Sequence, residues 1–134
     1  MQDRLVKFPA NVIVGVDILN KNYATEHLTK QLIRSETSAA LNYGEAQAAE
    51  SRRDFIHKMK VCLKELRESQ VNLQILECAE LVRNQKEFET IAQECKELVA
   101  IFTTSIKTPK SKMQKNEYHS SPFTFKILYL KFRI

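Results

Sequence analysis

Two glycines and three prolines in 134 residues leave this chain almost without turn signals. Antiparallel sheets built from hairpins need such residues roughly every eight to twelve positions, so long helices are favoured over a β-sandwich or barrel. Gly15 and Gly44 stand far apart, which leaves no glycine-rich loop to cradle a phosphate. Cys62, Cys78 and Cys95 are odd in number and show no CxxC spacing. Such usage suits a reducing cytoplasm, with cysteine serving as a small core hydrophobe. No apolar run approaches the ~18 residues that span a bilayer, and the opening MQDRLVKFPA lacks the continuous apolar stretch of a signal peptide. A cytoplasmic protein is the expectation. His27, His57 and His119 are scattered, without HxxxH or ExxH spacing, and no Ser–His–Asp or Cys–His–acid grouping can be argued. The chain is therefore read as a non-enzyme with no metal, cofactor or small-molecule substrate.

What is present suits one helical domain. Apolar residues make up 43% and charged residues 28%, enough for a single core and an ordinary surface. The net charge of +5 is uneven: residues 1–107 hold fifteen basic and fifteen acidic side chains, whereas residues 108–134 hold six basic ones against Glu117. The chain divides accordingly into a helical bundle domain, 1–107, and a basic, flexible tail, 108–134. Within the tail, SPFTFKILYLKFRI alternates Phe123, Phe125, Ile127 and Tyr129 like a strand. That segment could extend a neighbouring sheet, touch a membrane surface, or be an unselected extension.

Hydrophobic spacing predicts four helices. A short first helix over about 10–20 is opened by Pro9 and uses Val12, Val16 and Leu19, although NVIVGVDIL also reads as a strand. Helix two, about 25–49, starts with Thr25 as N-cap and Leu28, Leu32 and Ile33 as its stripe. It then turns to small residues from Ser35 to Ala49, which let a neighbouring backbone come close. Ser51 with Asp54 resembles a capping box and starts helix three, which runs to about Val82 with Phe55, Met59, Cys62, Leu66, Leu73 and Leu76 inward. Helix four, about 85–107, repeats Phe88, Ile91, Cys95, Leu98, Phe102 and Ile106. Short connections between the last helices force antiparallel neighbours.

Arg34, Ser35, Thr37, Ser38, Asn42, Glu45, Ala46, Ala49, Glu50, Ser51, Asp54, Phe55, Leu63, Lys64 and Glu65 together form a specific pattern. An arginine-serine-x-threonine-serine opening leads into a small-residue stretch, an alanine-glutamate-serine turn, an aspartate-phenylalanine pair and a leucine-lysine-glutamate step. This block resembles the four-helix-bundle family of proteins encoded within intervening sequences of bacterial large-subunit ribosomal RNA genes. The similarity extends to about Lys112. The resemblance implies an antiparallel up-and-down four-helix bundle that assembles into homo-oligomeric rings, pentamers among them, with relatives acting as basic accessory proteins to RNA-handling machinery. Here only about twenty residues precede helix two, so either the first helix is shortened or the bundle is incomplete. The middle of helix three, Ser69 to Leu73, also lacks the aromatic residue often found there in the family.

Two groups of side chains are candidates for function. Arg53, His57, Lys60, Lys64 and Arg67 recur at 4,3,4,3 spacing, which places them on one face of helix three, about 160° from its apolar face. The stripe is ~21 Å long, comparable to six phosphate steps along one strand. It suits contact with the phosphate backbone of RNA or of a nucleoprotein partner, and it equally describes a solvated helix face. Glu68 beside Lys64, and Glu50 at the start, dilute its field. Ser38, Asn42, Tyr43 and Glu45 lie where small residues allow close helix contact; they either line an interface with a partner or satisfy polar groups between helices. The competing reading of the whole chain is a protein–protein assembly module that binds through apolar surface, with the product of a decaying gene as a third.

Overall fold

The structure is a computed structural model that describes residues 1–113. It contains four helices: α1 Gln2–Val14, α2 Tyr23–Gln47, α3 Arg52–Cys78 and α4 Gln85–Met113, with a 3-10 turn at Val16–Ile18. Each helix packs on the next, and α1 also meets α4, which closes the ring of neighbours. The direction of each pairing is read from its contacts. Ser35 meets Ser69 while Glu45 meets Lys58, so α2 and α3 run antiparallel. Cys95 reaches Leu66 while Gln85 reaches Glu77, so α3 and α4 do as well. Gln2 donates to the Ala40 carbonyl and Arg4 pairs with both Glu94 and Glu97, which sets α1 between α2 and α4. The result is the up-and-down four-helix bundle that the sequence led us to expect.

The first helix is the main correction to that expectation. It begins at Gln2, not near residue 10, and Pro9 lies inside it instead of opening it. An interior proline removes one backbone hydrogen bond and costs a helix ~3 kcal/mol in isolation. Burial of Leu5, Phe8, Pro9 and Val12 on one face offsets that cost. Gly15 then ends the helix where no side chain fits: a Cβ there would lie 2.4 Å from Ile18 Cδ1 and 2.9 Å from the Asn11 carbonyl oxygen. At thirteen residues α1 is about half as long as α2, which has twenty-five.

The other boundaries shift for local reasons. Asn22, not Thr25, caps α2, its side chain accepting from the Thr25 N–H at 2.8 Å. Ser51 caps α3 as expected, accepting from the Asp54 N–H at 3.1 Å. That helix stops at Cys78 and not Val82, because Glu80 adopts a left-handed φ of 57°. Leu81 N–H then reaches back to Leu76 O and Glu80 N–H to Glu77 O, the pairing of a Schellman turn without its usual glycine. Helix four continues past Lys107 to Met113. The strand-like alternation of Phe123 to Tyr129 lies outside the described residues.

Small residues on α2 do what the sequence suggested. Ser35, Ala39 and Ala46 are buried, and α3 comes close enough for Ser35 Oγ to lie 2.6 Å from Ser69 Oγ and for the Cys62 thiol to reach the Ala39 carbonyl at 3.3 Å. Tyr43 and Phe102 meet edge to face, with centroids 5.9 Å apart, and tie α2 to α4. One buried charge-bearing group was not anticipated. Glu36 is fully buried and neither of its carboxylate oxygens has a hydrogen-bond partner. Burial pushes its carboxyl up to about 8 from an ordinary value of 4.5, so at neutral pH it is mostly protonated.

Candidate nucleic-acid interface

Helix three turns Phe55, Met59, Cys62 and Leu66 into the core. Residues on the opposite side of the same helix must then point outward, and Arg53, His57, Lys60, Lys64 and Arg67 are all exposed. None of the five takes part in an ion pair among the described residues. The basic side chains that do pair lie to either side of the stripe or elsewhere: Lys58 holds Glu45 at 2.5 Å, and Arg34 holds Glu65 at 3.4 Å and also Glu68.

That last contact changes the electrostatics of the face. Glu68 stands one turn from Lys64 and was expected to weaken the stripe. Instead Arg34 reaches across from α2 and takes its carboxylate, an interaction that raises the arginine's pKa through hydrogen bonding to Glu68. Lys58 does the same to Glu45, and its own pKa rises for the same reason. The acids along the α2–α3 seam are thus engaged by cations that are not part of the stripe. Beyond Arg67 the same face becomes apolar, with Val71 and Ile75 about half exposed.

The second candidate group does not converge. Tyr43 is 1% exposed and belongs to the core of its own chain. Asn42 donates to the Ser38 carbonyl at 2.9 Å, one turn back on the same helix. Glu45 points to solvent and is engaged by Lys58. These are contacts within one bundle.

The cysteines also separate. Cys62 and Cys95 are buried, and burial pushes both thiols up to about 12, which keeps them protonated and unreactive. Cys78 is exposed, so the assignment of cysteine to core-facing stripes fails for it. His27 stacks beside Tyr23 on α2, and His57 lies on α3. No group of three or more potential metal ligands gathers among the described residues. Among those residues no helix is long and apolar enough to cross a membrane.

Comparison with known proteins bears on the family and the fold. The family described as 23S rRNA-intervening sequence protein matches residues 10–104. The chain belongs to that family. A solved structure agrees: a protein of unknown function from the S23 ribosomal protein family of Bacteroides thetaiotaomicron VPI-5482 aligns with a TM-score of 0.67 and 28% identity, over 79% of this chain and 97% of that one. No curated protein matches. The Arg34–Glu65 block lies within the matched residues. Arg34 opens the motif and makes the cross-helix pair, Ser35 and Ser51 make the buried contact and the cap, and the unspecified third position of the arginine-serine-x-threonine-serine run is the buried Glu36.

Proposed function

We propose that this member of the family is a non-enzymatic, homo-oligomeric helical bundle that works in the cytoplasm by binding RNA, free or within a nucleoprotein, through the outer face of α3. The supporting observation is the row of five exposed basic side chains outside any ion pair among the described residues, beside acids that Arg34 and Lys58 already engage. Apart from the His57 imidazole the face carries no aromatic side chain, so it suits backbone contact more than base stacking. Repetition around an oligomer would multiply a weak contact into a useful one. Arg53, Lys60, Lys64 and Arg67 supply four permanent charges per subunit. If each meets one phosphate of a single strand, the affinity falls with a log–log salt slope near −3, or roughly 50-fold between 50 and 200 mM salt.

Anisotropy titration of a labelled single-stranded RNA at those two salt concentrations tests this. Lys60→Glu with Lys64→Glu should flatten the slope by about 1.4 and weaken binding more than tenfold at low salt. Binding that ignores salt, or that the double variant leaves unchanged, removes the proposal.

Assembly with further copies has its own support. Val6 and Ile13, seven residues apart on one face of α1, are each 52% exposed, and Leu41 on α2 is 63% exposed. Exposed aliphatic side chains on two adjacent helices suit contact with a second subunit. The solution mass of the wild type and of Leu41→Glu reads this directly, and a wild type that is monomeric at all concentrations would end it.

A further inference from the structure

A cavity of about 610 Å3 lies at the pole of the bundle where the α1–α2 and α3–α4 connections meet. It exists because α1 stops at Val14 and the chain crosses to Tyr23 through a 3-10 turn in place of further helix. Val12, Leu32, Leu73, Leu76, Phe88 and Ile91 line it. All six are core residues, and the volume lies within the range of small-molecule sites. Its rim is polar, formed by Asn20, Lys21, Asn22, Tyr23, Glu26 and Lys30.

Two features give the cavity a polarity. Thr25 lines it, is 7% exposed, and carries a buried hydroxyl with no hydrogen-bond partner. The first turn of α2 is also there, and its N–H groups carry the positive end of a twenty-five-residue helix. The rim side chains largely cancel, since Lys21 pairs with Asp17 at 3.7 Å and Lys30 with Glu26 at 2.7 Å. The helix end therefore sets the sign.

We propose that this cavity binds a medium-chain aliphatic carboxylate, its chain among the core side chains and its head group at the start of α2, accepting the Thr25 hydroxyl hydrogen. The site is at the opposite pole from Arg53 and does not depend on RNA binding. Sodium decanoate, kept below the concentration at which it forms micelles, is titrated into the isotopically labelled full chain. Amide shifts should saturate and centre on Thr25, Leu32, Leu76 and Ile91, and the melting temperature should rise with ligand concentration. Decan-1-ol should bind more weakly. Thr25→Val should raise the dissociation constant five- to tenfold, by roughly the worth of one hydrogen bond. Thr29→Trp fills the cavity from a half-buried lining position and should abolish the shifts. Shifts that never saturate, or that centre on the exposed Val6, Leu41 and Ile75, overturn the proposal. So does decan-1-ol binding as tightly as decanoate, or a Thr29→Trp protein that binds as before. Should Thr25→Val not fold, the alcohol and the Thr29→Trp protein still decide.

Discussion

Replacing Glu36 by methionine should make this bundle more stable, and the gain should depend on pH. The folded carboxyl titrates at about 8 and the ordinary value is 4.5, a difference near 3.5 pH units. At ~1.36 kcal/mol per unit, linkage gives about 5 kcal/mol between the two protonation limits. The group is wholly shielded from solvent, so little screening reduces that figure. The sign follows from proton counts. Between pH 4.5 and 8 the unfolded chain has released the Glu36 proton and the folded chain keeps it, so stability is full below about pH 4.5 and falls as pH rises to about 8. Other shifted groups act elsewhere: Glu26, held below its usual range by Lys30, matters in acid, and the Cys62 and Cys95 thiols only above pH 9. Urea unfolding at pH 5 and pH 8, at one protein concentration, should show the wild type losing about 3.5 kcal/mol. Glu36→Met should lose less than about 1 kcal/mol and be the more stable protein at pH 8. Equal pH slopes in the two proteins would refute the argument, because the carboxyl would then be ionised or paired in the native state.

Two further substitutions probe the frame. Glu80→Gly should stabilise the chain by about 1 kcal/mol in chemical denaturation, since a left-handed residue after a helix costs glycine least. No gain would mean that the Glu80 side chain supplies a compensating contact. Ser35→Ala and Ser69→Ala should each cost about 1 kcal/mol, and the double variant less than their sum by at least ~0.5 kcal/mol, since the two hydroxyls serve each other. Strict additivity would show that the backbone carbonyls of Leu32 and Glu65 already satisfy them.

The parts of this fold that were legible in the sequence are those set by periodicity. Phe55, Met59, Leu66, Phe88, Cys95 and Phe102 repeat at helical spacing and all are buried. The outward face of α3 follows from the same arithmetic, so periodicity alone places Arg53 to Arg67 there. What periodicity does not carry was missed. Pro9 reads as the opening of the first helix, although packing of Leu5 and Phe8 carries that helix through it. The end of α3 has no glycine to announce it, because glutamate fills the left-handed position. Nothing local marks Glu36 as a core residue; its phase matches the inward side of α2 beside Tyr43, a weak signal that its charge obscured. The pairing of Glu68 with Arg34 joins residues thirty-four apart, which no pattern along a single helix can show. The cavity arises from the length of α1 relative to its neighbours, a property of the assembled bundle.

The two connections at one pole are stitched together. Leu19 bridges Val82, Asn20 N–H reaches the Leu81 carbonyl, and the Ile18 carbonyl accepts both Arg83 N–H at 2.6 Å and Asn84 N–H at 3.0 Å. Each helical hairpin therefore carries part of the seal that closes the other. One hairpin cannot peel away while its mate keeps its end intact, so local opening at this pole is coupled to loss of the whole bundle. Backbone amides of Asn20, Arg83 and Asn84, although they sit in loops, should then exchange their hydrogens at the slow pace of the interior.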